Sequence, residues 1–325
     1  MNAKKLSVTL SVLVLGLTSC GSGKSLTRQE AYKKLDEIVA ATPAAQTKLT
    51  ATNNTMADVT DNSGNVTSKA GVLSTYVFDA EKNYAHVIVN SAKTVKDSSS
   101  STTSYAAGSE FFAYKNEGDY VFGMKYDGKE VSATVTSTDT LNYVAASKIM
   151  ENFAQKQIDA FVKCGREHWH NGAGGLSAYL KRQDILDQNK KDIVVGSETI
   201  QAGATSGGSY IVLKDEKYST TGDGNLTLDF DALYPNPDAP EKLHEPLKFE
   251  FNNNLLTHWY NKKASNYAGN EWTMNYGSAN IAACSYAAGD SEVALYVTVP
   301  TIIASLVAVD QPTSDSASYK TVWGA

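Results

Sequence analysis

The densest group of side chains that could do chemistry is the segment Cys164-Gly165-Arg166-Glu167-His168-Trp169-His170. Cysteine and histidine bind zinc, which makes Cys164, His168 and His170 candidate ligands. Their spacing fits no standard zinc site, and no second Cys/His cluster completes the coordination. A helix end followed by glycines is typical of a solvent-facing loop. We therefore predict an exposed loop, with Trp169 tucked under a helical lid and no bound metal.

Signatures of covalent catalysis are absent from the sequence. The stretch Thr205-Ser206-Gly207-Gly208-Ser209 lacks the leading glycine of a nucleophile elbow, and no Ser-x-x-Lys accompanies a Lys-Thr-Gly. Every aspartate and glutamate is explained equally well as a solvated surface residue. We therefore expect a protein that is not an enzyme and holds no cofactor. A hydrolase or metal-dependent enzyme, with carboxylates or His168 and His170 converging in a cleft, is the third alternative.

Aromatic and methionine side chains are the remaining candidates, and they suit an adaptable apolar site. Several of them alternate with polar residues along predicted strands, and others recur at helical spacing. The same set describes a solid core equally well, so both alternatives stay open. The candidate ligand-lining residues are Tyr120, Phe122, Met124, Tyr126, Met150, Phe153, Phe161, Phe249, Phe251 and Trp259.

The first twenty residues resemble the signal peptide of a bacterial lipoprotein. Met1 to Lys5 is positively charged, and the apolar run Leu6 to Leu17 is too short to span a bilayer. The run ends in Leu17-Thr18-Ser19-Cys20, which resembles a lipobox. The resemblance implies that residues 1–19 are removed and that Cys20 receives a diacylglyceryl group. It also implies a lipid-anchored protein facing outside the cytoplasm, at the cell surface or on the periplasmic side of a membrane.

Composition excludes some partners. With 29 Lys and Arg against 35 Asp and Glu, the net charge is −6, and no long basic run offers a nucleic-acid surface. A content of 42% hydrophobic and 20% charged residues is typical of a globular protein. A disulfide between Cys164 and Cys284 would close a loop of about 120 residues. We favour two free thiols, because a chain of this length does not need a cross-link.

The pattern of residues predicts the order of elements. After a flexible, lipidated tether over 20–26, the capping-box spacing of Thr27 and Glu30 predicts a helix over 27–41. Alternating residues predict antiparallel strands over about 46–137.

Two helices are predicted over about 139–189. The first begins at Asp139 or Thr140 and ends at Gly165, and the second covers 176–189. Strands return over about 193–310, with the clearest alternation from Val293 to Val299, before a loose tail.

The fold class predicted from this order is α+β, a single domain over 27–325. Strands on both sides of a helical insertion favour one large, curved, half-barrel-like antiparallel sheet. The N-terminal helix and the mid-chain helical pair cover one of its faces. A chain split into two domains near the helices is the alternative.

The order of elements over most of the mature chain is similar to that of the LolA/LppX-like lipoprotein carriers. The run Phe249-Glu250-Phe251-Asn252-Asn253-Asn254-Leu255-Leu256 resembles a strand–turn–strand late in their sheets. Trp272 to Ile281 resembles their penultimate strand and turn, although this chain is longer and continues after Val299. The resemblance implies a half-open barrel covered by helices, with a hydrophobic cavity for acyl chains.

These observations predict a membrane-anchored lipoprotein that binds a lipid or another apolar or amphipathic ligand between sheet and helices. The alternative is a surface interaction or adhesion module that binds a protein or a glycan.

Overall fold

The structure is a computed structural model that describes residues 23–60, 66–68, 70–96, 102–165, 180, 191–195, 198–202, 212–233, 244–261, 269–289 and 294–310. The fold is α+β, as predicted. Its helices are α1 Arg28–Ala40, α2 Thr140–Met150, α3 Phe153–Lys163 and α4 Leu295–Asp310. Its strands are β1 Lys24–Leu26, β2 Lys48–Thr55, β3 Val59–Thr60, β4 Val66–Ser68, β5 Gly71–Asp79, β6 Tyr84–Val89, β7 Lys93–Lys96, β8 Thr102–Tyr105, β9 Ser109–Asn116, β10 Asp119–Tyr126, β11 Lys129–Val135, β12 Lys191–Val195, β13 Glu198–Ala202, β14 Val212–Thr220, β15 Leu226–Leu233, β16 His244–Asn252, β17 Leu255–Asn261 and β18 Asn270–Asn275.

In the part of the chain that the structure describes, twelve strands form one open antiparallel sheet in the order β1-β14-β15-β16-β17-β18-β2-β5-β6-β9-β10-β11. β3 and β4, β7 and β8, and β12 and β13 form separate two-stranded hairpins. Short turns connect β5 to β6, β9 to β10, β10 to β11, β14 to β15 and β16 to β17. The two halves meet where β18 pairs with β2, Trp272 opposite Asn53. The prediction of one continuous sheet across the helical insertion is therefore confirmed.

One face of the sheet, here called the front face, carries the hydrophobic core. Large side chains such as Phe78, Phe122 and Phe249 are completely buried there. Helix α1 packs on β14 and β15, α3 on β5 and β6, and α4 on β9, β10 and β11. The Tyr76 hydroxyl donates a hydrogen bond to the carbonyl oxygen of Leu306 in α4 (3.3 Å), which ties that helix to the middle of the sheet.

The N-terminal helix begins with the predicted capping box. The Thr27 hydroxyl accepts a hydrogen bond from the Glu30 N–H (3.2 Å), and the Glu30 carboxylate accepts one from the Thr27 N–H (2.8 Å). These bonds satisfy two amides that a helix start leaves without partners. The Arg28 guanidinium then pairs with the Glu216 carboxylate of β14, which fixes the helix to the sheet edge.

The predicted long mid-chain helix is two helices, because the chain breaks at Glu151 and Asn152. Asn152 adopts a left-handed conformation (φ 54°), which asparagine tolerates better than most residues. Asn83 stabilises the break from outside. Its amide nitrogen donates to the Met150 carbonyl (2.6 Å), and its amide oxygen accepts from the Ala154 N–H (3.4 Å). The predicted helix over 176–189 lies outside the described residues, except for Leu180.

Two further sequence predictions are wrong. Val293 to Val299 was predicted as a strand, but Leu295–Asp310 is helix α4, since its buried side chains recur at helical spacing at Leu295, Val299, Ile303 and Leu306. The alternating β-branched residues at its start imitate a strand. The tether predicted over 20–26 is also too long, because residues 24–26 form strand β1 on the exposed edge of β14.

The opposite, back face is crossed by residues 278–289, here called the strap. The Tyr84 hydroxyl donates to the Ala282 carbonyl (2.9 Å) and accepts from the Ala282 N–H (3.1 Å). The strap then reaches the outer edge of β11, where the Ser132 N–H donates to Ala287 (2.8 Å) and the Gly289 N–H donates to Ser132 (2.9 Å). Cys284 lies in the strap and Cys164 at the end of α3, and the two do not form a disulfide.

Candidate functional site

All ten predicted ligand-lining residues lie on the front face or on the helices that cover it. Tyr126 is half-buried and packs against the core, and the other nine are buried in it. They do not meet at one point, because β17 and β10 are separated by five strands. At the usual strand spacing of ~4.8 Å the two groups are roughly 29 Å apart along the sheet. Their role in lining a ligand cavity stays a prediction.

Phe161 connects α3 to the centre of the sheet. Its ring centroid lies 5.6 Å from that of Tyr76, 6.3 Å from Phe78 and 5.9 Å from Trp272. These distances and tilted orientations are typical of favourable aromatic pairs. The cluster is therefore packed core between α3, β5 and β18.

A groove of about 880 Å³ opens where α2 meets α3 above the ends of β9 and β10. We call it the helix–sheet groove. Two of the predicted residues, Tyr120 and Met150, are among its lining residues, together with Tyr143 and Val144 of α2. Val144 is 61% exposed.

The polar ends of the groove's aromatic side chains are fixed by hydrogen bonds. The Tyr120 hydroxyl donates to the Ser147 hydroxyl (3.1 Å), and the Tyr143 hydroxyl donates to the Gly118 carbonyl (2.8 Å). The two rings lie 5.3 Å apart at an angle of 50°. Because both hydroxyl groups are hydrogen-bonded, the two rings are held in place beside the groove.

Charged side chains border the same groove. The Lys115 ammonium lies 5.7 Å from the centroid of the Tyr120 ring, and Lys148 extends from the last turn of α2. Glu81 is held by Lys48 (2.9 Å), and this hydrogen bond lowers the pKa of the Glu81 carboxyl. The groove thus combines aromatic and aliphatic side chains with two lysines and with the carboxylates of Glu81 and Glu151.

A second groove, of about 1200 Å³, lies beside the turn between β16 and β17, and we call it the hairpin groove. Most of its lining residues are polar, among them Asn252, Asn253, Asn254 and Asn275. Asn253 and Asn254 both have positive φ angles (52° and 63°), which suits asparagine in a tight turn. The sequence predicts this turn but assigns no function to it.

One wall of the hairpin groove carries an ion-pair cluster. His258 Nε2 lies 2.8 Å from Glu271 Oε1, and His258 Nδ1 lies 3.3 Å from Glu250 Oε2. Hydrogen bonding to Glu250 and Glu271 raises the pKa of His258, despite an opposing effect of burial. Hydrogen bonds from His258 and Lys248 lower the pKa of Glu250 to about 2. The cluster links the neighbouring strands β16, β17 and β18 through contacts between charged side chains.

A related network holds the strap. His86 Nε2 lies 2.6 Å from Glu110 Oε1, and the Tyr286 hydroxyl donates to the other oxygen of that carboxylate. The His86 hydrogen bond lowers the pKa of Glu110, and the His86 ring stacks on Phe112 at 4.0 Å. These contacts fasten the strap to the back face.

The structure places only part of the predicted reactive cluster. His168 and His170 lie outside the described residues. Burial raises the pKa of Cys164 to about 12, which disfavours the thiolate that a metal ligand or nucleophile needs. Within the described ranges, no group of three or more His, Cys, Asp or Glu side chains is arranged to hold a metal ion.

The chain matches no known protein family and no curated protein. Among the described helices, none combines the length and the apolar character that crossing a membrane requires.

Proposed function

We propose that this protein is a membrane-anchored lipoprotein that binds an amphipathic or apolar ligand in the helix–sheet groove, without covalent chemistry. Cys20 is the anchor, on the resemblance of residues 17–20 to a lipobox. The ligand lies against Tyr120 and Met150 and under the exposed side chain of Val144.

The observation that carries this proposal is the exposed apolar wall of the groove. Covering an aliphatic side chain as exposed as Val144 with an apolar group makes the binding free energy more favourable, by roughly 25 cal/mol per Å² of apolar surface removed from water. Aromatic rings whose hydroxyl groups are already bonded offer the rest of the wall to an apolar chain.

The charged residues at the same groove favour a ligand with a polar end. Lys115 and Lys148 are both exposed and line the groove beside its apolar wall. An anionic head group would interact with these ammonium groups while its acyl chain covers Val144 and the half-buried ring of Tyr143. A fatty acid or an anionic lipid fits this arrangement.

The test is a titration of the soluble domain from Gly21 onward with a fluorescent long-chain fatty acid. Val144→Asp places a carboxylate where the acyl chain would lie, and we expect affinity to fall at least about tenfold. Leu141→Asp is the matched control, because Leu141 is on the same helix, is 82% exposed and lies outside the groove. Equal affinity for the wild type and Val144→Asp, or equal loss in both variants, would contradict the proposal.

The alternative, a surface module that binds a glycan or a protein, is supported by the hairpin groove. Its amides, hydroxyls and carboxylates suit a ligand rich in hydroxyl groups. Asn253→Gly removes one amide and keeps the left-handed turn, since glycine adopts positive φ readily. Glycan-array binding that is lost in Asn253→Gly would favour this alternative over a lipid carrier.

A further inference from the structure

The N-terminal end of the domain is built into the edge of the sheet. Lys24, Ser25 and Leu26 pair with Thr220, Ser219 and Tyr218 of β14. Gly23 already lies against this edge, because a Cβ added to it would be 3.3 Å from the Thr220 carbonyl oxygen. An extended chain covers at most ~3.6 Å per residue, so the Cα atom of Cys20 lies within about 11 Å of that of Gly23.

Two turns meet beside Gly23 and are bonded to each other. The Asn254 N–H donates to the Gly224 carbonyl (2.9 Å), and the Asn253 N–H donates to the Asn225 side-chain oxygen (3.0 Å). Lys34 of α1 lies 3.3 Å from Asp223, which ties the helix to the same place. We call this region, formed by Gly23, Lys34, residues 220–225 and residues 252–254, the anchor corner.

We propose that the anchor corner is the surface that this domain holds against the membrane, with the lipid head groups as its partner. The inference rests on the proposed function, because the acyl chains on Cys20 supply the anchor. A tether of three residues joined to a paired strand keeps the β1–β14 edge at the bilayer. The corner's exposed side chains are polar, so it lies on the head groups without entering the hydrocarbon.

This orientation places the hairpin groove at the membrane. The hairpin groove opens at the anchor corner, since Lys34, Asp223, Asn253 and Asn254 belong to both. The helix–sheet groove adjoins the hairpin groove, since the consecutive residues Gln46 and Thr47 line one groove each. Its far end, at Tyr120 of β10, is nine strand spacings from β14, or roughly 43 Å along the sheet.

The experiment uses the full chain, lipidated in a bacterial host and reconstituted into phosphatidylethanolamine/phosphatidylglycerol vesicles. A fluorophore is attached to Asp223→Cys at the anchor corner or to Lys129→Cys on the far edge strand, each in a Cys164→Ala, Cys284→Ala background. Head-group spin-labelled lipids then quench the fluorophore. Mass spectrometry of the same samples measures the diacylglyceryl group on Cys20.

We expect several-fold stronger quenching at position 223 than at position 129. A long Gly/Ser linker inserted between Gly21 and Ser22 should remove most of that difference, because a flexible tether frees the domain to turn. Equal quenching at both positions on a lipidated chain overturns the orientation and leaves the proposed anchoring intact. A chain whose Cys20 carries no lipid overturns both.

Discussion

The substitution Phe161→Ala distinguishes a filled core from a ligand cavity beneath α3. Phe161 is 3% exposed and contacts three aromatic rings, those of Tyr76, Phe78 and Trp272. Truncating a phenylalanine in a packed core costs about 3–5 kcal/mol, through lost transfer free energy and the new cavity. A side chain that lines an existing hollow loses chiefly the transfer contribution, about 1.5–3 kcal/mol. We expect the larger value.

The assay is urea unfolding of the soluble domain, followed by circular dichroism and tryptophan fluorescence. Leu141→Ala is the control, since this side chain is 82% exposed and its loss should change the free energy of unfolding by less than about 0.5 kcal/mol. A loss below about 3 kcal/mol in Phe161→Ala, with an unchanged denaturant slope, would refute the reasoning that this region is solid core.

Three further predictions concern stability. The Glu250–His258 pair should stabilise the fold most between about pH 4.5 and 6.5, where both side chains are charged. The contribution of Glu250 to the free energy of unfolding is lost as the pH falls from 4.5 towards 2, because its pKa is lowered in the folded state. The contribution of His258 is lost as the pH rises above 6.5, because its pKa is raised in the folded state. Urea unfolding of His258→Gln against wild type should show its largest difference in that window, and a difference independent of pH would contradict the assignment. Thr27→Ala removes the capping box and should lower the free energy of unfolding by about 1 kcal/mol, whereas an unchanged midpoint would mean that α1 does not depend on its cap. Gly224→Ala should cost more than about 1 kcal/mol, because φ is +72° and the new Cβ would meet Asn254 at 3.0 Å; a stable variant would show that the turn can relax.

The sequence predicts much of the fold, because local signals and long-range packing agree in most elements. The capping residues Thr27 and Glu30 determine where α1 begins, and they are visible without any structure. The alternating pattern of β10 predicts which of its side chains enter the core, since successive strand residues point to opposite faces.

The errors arise where tertiary contacts decide local structure. The apolar residues after Val293 satisfy both a strand and a helix pattern, and only burial on the front face selects the helix. Likewise, the break after Met150 depends on Asn83, a residue far away in the sequence whose side chain bonds both helix ends. Neither contact can be read from the sequence of the segment whose structure it determines.

The sequence says less about the candidate site than about the fold. The aromatic pattern identified core residues correctly, but a buried residue and a groove residue look alike in sequence. Tyr120 and Met150 line the helix–sheet groove only because the helix break opens a space above them. The exposure of Val144, on which the proposed function depends, follows from how α2 sits on the sheet and has no sequence signal of its own.

The most direct test of the proposed ligand site is native mass spectrometry of the domain from Gly21 onward, purified from a bacterial host. Organic extraction of the same samples identifies any bound lipid. We predict stoichiometric lipid on the wild type and on Leu141→Asp, and its loss from a folded Val144→Asp variant. A domain that is repeatedly free of lipid after purification from lipid-rich extracts would contradict the account and favour the surface-interaction module.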